Sequence, residues 1–591
     1  MKKYFLFAFT FLLFTCVSQA QLTISNKQVF TKADTLRGSN NENRDWWNVL
    51  KYDITVKPDF EKKEIEGMVV MTIKFNHRKY WEKGIRKRFI QIDLQEPLIL
   101  DSIMYHVKYT YFSTRTDGCF MRDYDRYDKL PFKKENGVYI IDLWEANDHW
   151  DWSEPLIFYY HGKAREAKRA PWDGGWVWSK DKLGRPFVSV ACQGLGASSW
   201  FPCKDIQSDE PDNGASLTIV IPDSLVAVGN GRLISKVKSQ NQKDTSYTVQ
   251  QTSYTWEVKN PINTYTIIPS IGNYVNISDT FQGEKGTLDL NYWVLDYNVE
   301  KAQEQFQQVK LMLKAFEHWF GPYPFYEDGY KLVETPFLGM EHQSAIAYGN
   351  RFKNGYLGRD LSGSGWGLKW DFIIIHESGH EWFANSITTK DIADMWVHEG
   401  FTNYSEVLFT DYYYGKEAGN DYCYGIRKNV VNDKPIIGEY GVNKEGSGDM
   451  YSKSANMIHS IRNALNDDEK FRQILRKMNE VFYHQTVTTE QIENYLIEQT
   501  GLALQKTFDQ YLRTTQIPTL EYYFKGRRLF TRFTNCIDDF TMPITTLPKE
   551  KTITPKTVWK RNRLNKKNKA WFTKEHIERL YLINSLNVPK P

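Results

Sequence analysis

The sequence predicts a multi-domain α+β protein, with an antiparallel β domain first, a mostly helical domain next and a short β-sandwich last. The chain has 591 residues, and at about 100–200 residues per domain this length corresponds to three or four domains. Apolar and polar residues alternate in runs up to about residue 273, which is typical of sheet strands. Apolar residues recur at helical spacing from about Val299, and alternation returns after Ile517-Pro518. These two changes of period predict the fold class.

The same changes divide the chain into four segments. Residues 1–20 are interpreted as a signal peptide and 21–273 as the N-terminal β domain. Residues 274–517 are interpreted as the helical domain, and 518–591 as a C-terminal domain that resembles a β-sandwich. The estimate of three or four domains therefore becomes three after the N-terminal segment.

The N-terminus has the pattern of an export signal. Met1-Lys2-Lys3 is positively charged, Tyr4 to Val17 is apolar, and Ser18-Gln19-Ala20 has small residues where a signal peptidase reads them. An anchoring helix is the alternative, but the apolar stretch is shorter than the about 20 residues that a bilayer span needs. We therefore expect cleavage before Gln21 and a periplasmic or extracellular protein without an integral membrane span.

Composition excludes several classes of protein. Aromatic residues make up 15% of the chain, enough apolar surface to exclude a disordered protein. The 76 basic and 72 acidic residues nearly balance, which argues against a dedicated nucleic-acid binder. The run from Lys560 to Lys569 holds six basic residues and is interpreted as a solvated loop. We expect neither a nucleic-acid partner nor an obligate protein partner.

Individual elements follow from the local pattern. An aromatic-rich run at 172–178 predicts an irregular loop, and Gly321-Pro322 predicts the end of the first long helix. Predicted strands are 52–56, 67–75, 89–94, 217–222, 254–258, 265–271, 520–524, 529–533 and 540–544. Predicted helical segments are 299–320, 370–386, 396–414, 454–465 and 467–516.

The segment His376-Glu377-Ser378-Gly379-His380 has the spacing of a metal site. His376 and His380 are four residues apart, so on a helix both imidazoles face the same side and can bind one ion. Glu377 is then placed to hold a water on that ion. A polar helix face without a metal is the alternative.

Glu399 is the candidate third ligand, because it begins the next helical pattern with eighteen residues between it and His380. A His-His-Glu set leaves a fourth position open, which is typical of catalytic zinc, and its two nitrogens disfavour calcium and magnesium. Glu406 is the only other carboxylate in the next two turns, and we interpret it as a neighbour of the ligands or a surface residue. The predicted cofactor is one Zn²⁺ ion.

This pattern resembles the gluzincin aminopeptidases, the family of aminopeptidase N and leukotriene-A hydrolase. Three further segments resemble motifs of that family, and the order and approximate spacing hold from about residue 50 to 515. They are Phe201-Pro-Cys-Lys-Asp205 in the N-terminal domain, Leu338-Gly339-Met340-Glu341-His342 upstream of the zinc pattern and Tyr451-Ser-Lys-Ser-Ala455 downstream. The resemblance implies a thermolysin-like fold for residues 274–517.

The resemblance also implies roles for single residues. Glu341 would bind the free α-amino group of a peptide, with Gly339, Met340 and Gln193 as further substrate-binding residues. Tyr451 would donate a hydrogen bond to the developing oxyanion, and Glu377 would act as the general base for a zinc-bound water that attacks the scissile carbonyl. An ordinary strand-edge glutamate and a packed tyrosine at a helix start are the structural alternatives for Glu341 and Tyr451.

Several positions depart from the family pattern. Leu338 stands at the first glycine of the exopeptidase motif, His342 at its asparagine and Ser454 at the glycine after the lysine. Gln193 stands where many members have a second carboxylate, so we expect weaker amine recognition. Only about 75 residues follow Ile517, too few for the long helical domain that often covers the cleft in this family, so we expect no helical lid.

The sequence thus predicts an exported zinc-dependent aminopeptidase that acts on peptides. Three alternatives remain open at this point. A zinc endopeptidase and an epoxide hydrolase-like enzyme would use the same metal site, whereas a catalytically weak homologue would only bind peptides.

Overall fold

The computed structural model describes residues 29–76, 88–115, 118–143, 155–244, 247–546 and 552–590. The predicted signal peptide, residues 1–20, lies outside the described residues and stays a prediction. Within the described ranges, no helix has both the length and the apolar composition needed to cross a membrane.

The N-terminal region is built from β-sheets, and its inward-facing side chains form one large core. An eight-stranded sheet has the order Arg232–Asp244, Tyr247–Val258, Ala215–Pro222, Trp47–Asp59, Glu64–Phe75, Pro155–Gly162, Ile99–Arg115 and Gly118–Lys129. Only its Trp47–Asp59 and Ala215–Pro222 strands pair in parallel. A four-stranded sheet contains, in order, Val226–Val228, Ser270–Gly272, Pro186–Ala191 and Gly175–Lys180. A three-stranded sheet contains Phe89–Asp93, Val138–Asp142 and Phe132–Glu135. In the described part of the chain, the helix Lys32–Gly38 precedes these sheets.

The second region begins with a five-stranded sheet and is otherwise mostly helical. The strands are, in sheet order, Tyr274–Gly283, Gly286–Leu295, Tyr330–Glu334, Ile346–Tyr348 and Gly339–Met340. The helices are Val299–Gln305, Gln307–Phe320, Phe372–Gly379, Trp396–Tyr414, Lys416–Ile426, Ser452–Leu465, Asp468–Val481, Thr489–Thr500 and Gln505–Arg513. A short parallel pair, Ile387–Thr389 with Gln485–Val487, completes the region.

The C-terminal region is mostly sheet. A four-stranded sheet has the order Lys560–Arg563, Arg528–Thr534, Thr519–Lys525 and Asn584–Asn587, beside a pair formed by Ile544–Thr545 and Thr552–Ile553. Its described residues contain two α-helices, Lys566–Trp571 and Lys574–Leu580, and neither is long. The predicted multi-domain α+β fold class is confirmed, since the described residues combine a β-rich N-terminal region, a mostly helical region and a final sheet.

Some predicted elements differ from the structure. Residues 265–271 form a 3₁₀ turn and the start of a short strand instead of one strand, and 175–178 are strand instead of loop. The helix predicted over 370–386 ends at Gly379, because the following amides bond three residues back, Trp382 N to Gly379 O for example. The basic run 560–569 is a strand followed by a helix, since Arg561 pairs with Phe530 in the sheet.

Two glycines allow three helices of the second region to approach closely. A Cβ at Gly379 would lie 2.6 Å from Ser405 Oγ, where Phe372–Gly379 meets Trp396–Tyr414. A Cβ at Gly400 would lie 2.6 Å from Cβ of Ser454, where Trp396–Tyr414 meets Ser452–Leu465. Any side chain at either position would therefore push apart helices that carry the predicted site residues.

The start of the Phe372–Gly379 helix is fixed by Asp371. The Asp371 carboxylate accepts hydrogen bonds from the Ile373 and Ile374 amides, which is the usual N-cap interaction. It also accepts from Tyr348 Oη at 2.8 Å and Asn350 Nδ2 at 2.8 Å. Because the Asp371 carboxylate is fully buried, no water could replace it as the acceptor for these donors.

We therefore expect Asp371→Ala to destabilise the protein by about 3 kcal/mol, the sum of a lost cap and buried donors left without an acceptor. Urea unfolding of the chain measures this change. The matched control is Thr488→Ala, which removes the exposed cap of the Thr489–Thr500 helix and should cost about 1 kcal/mol. Equal effects of the two substitutions would contradict the positioning of the helix by Asp371.

Candidate active site

His376, His380 and Glu399 converge on one point. Their ligand atoms all lie within 4.8 Å of one another, and Glu399 Oε2 is 3.7 Å from His376 Nε2 and 3.4 Å from His380 Nε2. The two histidines lie on the Phe372–Gly379 helix and at its C-terminal end. Glu399 lies in the first turn of Trp396–Tyr414, where the positive end of the helix dipole favours a carboxylate.

The outer ring nitrogens of the two histidines are occupied, which orients both inner nitrogens toward Glu399. His376 Nδ1 is 2.7 Å from Glu406 Oε1, and His380 Nδ1 is 3.0 Å from the Phe383 carbonyl oxygen. An imidazole that donates from Nδ1 presents Nε2 as a lone-pair ligand, the arrangement found around most protein metal sites. Glu406 is thus a neighbour of a ligand and not a surface residue.

Residues of this group fit a zinc ion. Glu399 Oε2 is buried and has no hydrogen-bond partner in the described chain, although a buried carboxylate oxygen normally has one. Two imidazole nitrogens and one carboxylate oxygen are the donor set of catalytic zinc. Burial alone would raise the pKa of Glu399, but the two histidines outweigh it and hold that pKa below its ordinary value.

Glu377 lies beside the group and against the Gly339–Met340 strand. Only 8% of its surface is exposed, and a Cβ added at Gly339 would be 2.7 Å from Glu377 Oε1. Burial raises the pKa of Glu377 to about 7, against the opposing effect of the two histidines. The Glu377 carboxylate therefore lies beside the His376–His380–Glu399 group, where few water molecules can reach it.

Glu341 is buried in the same cleft, and three side chains from distant segments hold it. Its Oε1 accepts hydrogen bonds from Gln193 Nε2 and from Tyr265 Oη, the latter at 2.9 Å. Its backbone oxygen accepts from Asn385 Nδ2 at 2.9 Å. Burial raises the pKa of Glu341, while the charge of His380 acts in the opposite direction. The carboxylate is thus fixed in orientation by neutral donors.

Tyr451 and Met340 complete the set of predicted residues. The Tyr451 ring stacks on that of His376, with 6.1 Å between centroids, and Tyr451 directly precedes the Ser452–Leu465 helix. Burial and nearby Glu399 raise the pKa of the Tyr451 hydroxyl, so it stays a donor. Met340 packs against Ala191 and Phe337.

His342, which departs from the family motif, does not contact the metal group. Its ring is fully buried, and neither ring nitrogen has a hydrogen-bond partner in the described part of the chain. Burial lowers the pKa of His342 to about 3, so the ring is neutral. The substitution therefore adds no charge beside Glu341.

All nine predicted site residues line a single cleft of about 620 Å³ between the N-terminal and helical regions. They are Gln193, Gly339, Met340, Glu341, His376, Glu377, His380, Glu399 and Tyr451. Residues from the two regions meet there, since Gln193 precedes the helical region by more than 80 positions. Their individual roles remain predictions.

The comparisons with known proteins agree with this geometry. Residues 305–511, which contain the whole metal group, match the profile of the peptidase family M1 domain. This match spans 207 of the 591 residues. The resemblance to aminopeptidase N and leukotriene-A hydrolase is thereby confirmed, as is zinc as the metal of the family.

Relatives with established names cover about half of the chain. Aminopeptidase B of Mus musculus is 24% identical over 331 residues, 53% of this chain and 46% of that protein. Leukotriene A-4 hydrolase of Xenopus laevis is 22% identical over 338 residues, 54% of this chain and 51% of that protein. The chain thus spans about half the length of the curated relatives it matches.

Solved structures show the same fold. A variant of the M1 zinc metallopeptidase from Deinococcus radiodurans, bound to a Tyr-Ser-Ala substrate, superposes with a TM-score of 0.59 at 18% identity. That likeness covers 80% of this chain and 95% of the other. A two-domain M1 zinc metallopeptidase bound to L-tryptophan gives a TM-score of 0.60 at the same identity and coverage.

Sequence reasoning missed the residues that hold the predicted ones in place. Tyr265 was assigned to a strand, and no local pattern relates it to Glu341, which is 76 positions away. Asn385 follows the second histidine by five residues, and its side chain joins the Glu341 backbone to the Glu381 carboxylate. Only the proximity of Asn385 to the histidines could have drawn attention to it.

We expect Glu406→Ala to weaken zinc binding about 10–100-fold, because His376 loses the acceptor that orients it. Competition with a chromogenic chelator measures the affinity. Tyr422→Phe removes only the hydrogen bond from the Tyr422 hydroxyl to Glu406 and should have a smaller effect. An unchanged zinc affinity in Glu406→Ala would show that Glu406 does not support the metal group.

Proposed function

We propose that the protein is an exported zinc-dependent aminopeptidase that hydrolyses N-terminal residues from peptides. The observation that supports this most directly is the position of Glu341. Its buried carboxylate lies in the same cleft as the His376–His380–Glu399 group and Glu377.

A buried carboxylate favours a substrate with a free amine. The α-ammonium of a peptide can form a charge-assisted hydrogen bond with Glu341, whereas the nitrogen of an internal peptide bond carries no charge. An internal segment placed there would leave Glu341 buried and unpaired, which costs free energy. The cleft therefore selects peptide N-termini over internal bonds.

His376, His380 and Glu399 would hold the zinc ion, which supplies Lewis-acid polarisation of a water and of the scissile carbonyl. Glu377 accepts the proton of the attacking water and returns it to the leaving amine. Glu341 fixes the substrate N-terminus, so that the first peptide bond lies over the metal group. The Tyr451 hydroxyl donates to the carbonyl oxygen as negative charge develops on it.

The names of similar proteins support this activity. Aminopeptidase B and aminopeptidase N are among the matching relatives, and one solved neighbour is a zinc metallopeptidase with a bound Tyr-Ser-Ala substrate. Export is the part of the proposal that depends on residues 1–20 alone, through their charged, apolar and small-residue segments.

We expect Glu377→Gln to lower kcat on aminoacyl reporter substrates by about 100–10,000-fold, because the amide cannot take a proton from water. Zinc content, measured by atomic emission, should be unchanged because Glu377 is not a ligand. Removing the metal with a chelator should abolish activity, and added zinc should restore it. Near-wild-type turnover by Glu377→Gln would exclude it as the general base.

We expect Glu341→Gln to lower kcat/KM on substrates with a free amine by about 100-fold, because the charge-assisted contact is lost. Glu317→Gln is the matched control, since Glu317 is buried in the Gln307–Phe320 helix and does not line the cleft. N-acetylated versions of the same peptides should not be cleaved by either variant or by the unaltered chain. Efficient cleavage of the acetylated peptides would instead establish an endopeptidase.

A further inference from the structure

Positive charge is concentrated in the C-terminal region. Residues 518–591 contain 16 basic and 6 acidic residues, a formal charge of +10. Of the 76 basic and 72 acidic residues of the whole chain, this leaves 60 basic and 66 acidic residues elsewhere, a charge of −6. The small net charge of the whole chain therefore hides a strong asymmetry.

Five of these sixteen basic residues lie on one face of the four-stranded sheet. Alternation along the strands places Leu520, Tyr522, Leu529 and Phe533 inward, where they join the core of this region. The strand pairing places the alternate residues together on the opposite face. We call this the basic sheet face, and its cationic members are Lys525, Arg528, Arg532, Arg561 and Arg563.

Most of these cations are not neutralised by an acidic neighbour. Glu521 shares the face and pairs with Arg532 at 2.7 Å. Lys525, Arg528 and Arg561 are exposed, and none of the three forms an ion pair with a described residue. An exposed row of uncompensated cations attracts an anionic surface.

Apolar side chains accompany the charges. Leu586, on the neighbouring edge strand and opposite Glu521, has 51% of its surface exposed. Trp559 contacts Tyr523, with 5.0 Å between ring centroids. Aliphatic side chains and a tryptophan beside lysine and arginine are typical of proteins that bind at a membrane–water interface.

The aromatic rings of the face are not arranged to bind nucleic-acid bases. Tyr523 and Phe530 stack on each other at 4.7 Å with planes 2° apart, and Arg532 covers the Trp559 ring at 4.8 Å. Base recognition on a sheet needs ring faces that are free for stacking. One face of each of these three rings is already covered by another ring or by an arginine.

We propose that the basic sheet face binds the surface of a membrane that contains anionic lipids. Lys525, Arg528 and Arg561 contact the lipid phosphates, while Leu586 enters the interfacial region. The protein would lie on the membrane through this face without spanning it, and the proposal does not depend on the peptidase activity.

The test is co-sedimentation of the full chain with vesicles of phosphatidylcholine containing about one-third phosphatidylglycerol. We expect binding at low salt, release as NaCl is raised from about 0.05 M to about 0.5 M, and weak binding to vesicles of phosphatidylcholine alone. The combined variant Lys525→Gln, Arg528→Gln and Arg561→Gln should bind about 100-fold more weakly. Far-ultraviolet circular dichroism and the thermal midpoint check that this variant is folded.

A matched control removes three exposed charges elsewhere, with Lys163→Gln, Lys259→Gln and Lys314→Gln, and should bind vesicles like the unaltered chain. Because residues 1–20 are the same in all three proteins, any effect of that segment cancels. Leu586→Ser tests the apolar contribution and should also weaken binding.

Three outcomes would overturn the proposal. The first is no binding to the anionic vesicles, and the second is equal binding by the sheet-face variant and its control. The third is binding of a single-stranded uridine oligonucleotide more tightly than vesicles, which would identify a nucleic-acid surface instead. Loss of vesicle binding in the sheet-face variant alone would support it.

Discussion

Buried negative charge is the constraint on which the active cleft depends. Glu341, Glu377, Glu399 and Glu406 are each at most 8% exposed, and the cleft brings them together with only two histidines. Burying a carboxylate costs several kcal/mol unless a cation or hydrogen-bond donors compensate it. A divalent cation held by the His-His-Glu group would offset two of these charges, so metal binding and the stability of this region are coupled. Donors such as Asn403, Tyr422 and Tyr265 supply the remaining compensation.

The sequence predicted the metal group because its geometry is local. The two histidines are four positions apart, and helical spacing alone places them on one face. The 396–414 helix was predicted to the residue, since it ends before Gly415 and its pattern is long. By contrast, Glu341 and Tyr265 meet where a 3₁₀ turn of the N-terminal region contacts the end of the Gly339–Met340 strand in the second region. No periodicity within either segment contains that information.

Errors in the predicted elements have a common physical cause. Every residue from Trp370 to Thr389 is buried, including the polar ones, so no change from buried to exposed positions marks where the helix ends. Residues 264–272 are buried throughout as well, and a buried turn has the same composition as a buried strand. In the basic run, Lys560 to Arg563 forms an edge strand because Arg528–Thr534 offers a partner, although its composition suggests a loop.

Glu341, the proposed amine-binding residue, is a buried carboxylate whose orientation is fixed by its donors. Gln193 replaces a charge with a donor, and its amide binds the same Glu341 oxygen, Oε1, as the Tyr265 hydroxyl. Both donors stabilise the ionised form of Glu341 and leave Oε2 as the oxygen that can meet an ammonium group. A second glutamate at position 193 would add charge but would also repel Glu341 and loosen its orientation. A glutamine at position 193 therefore gives less electrostatic attraction for an ammonium group but holds the Glu341 carboxylate in a fixed orientation. We expect the affinity for a substrate amine to fall by less than the loss of one full charge would imply.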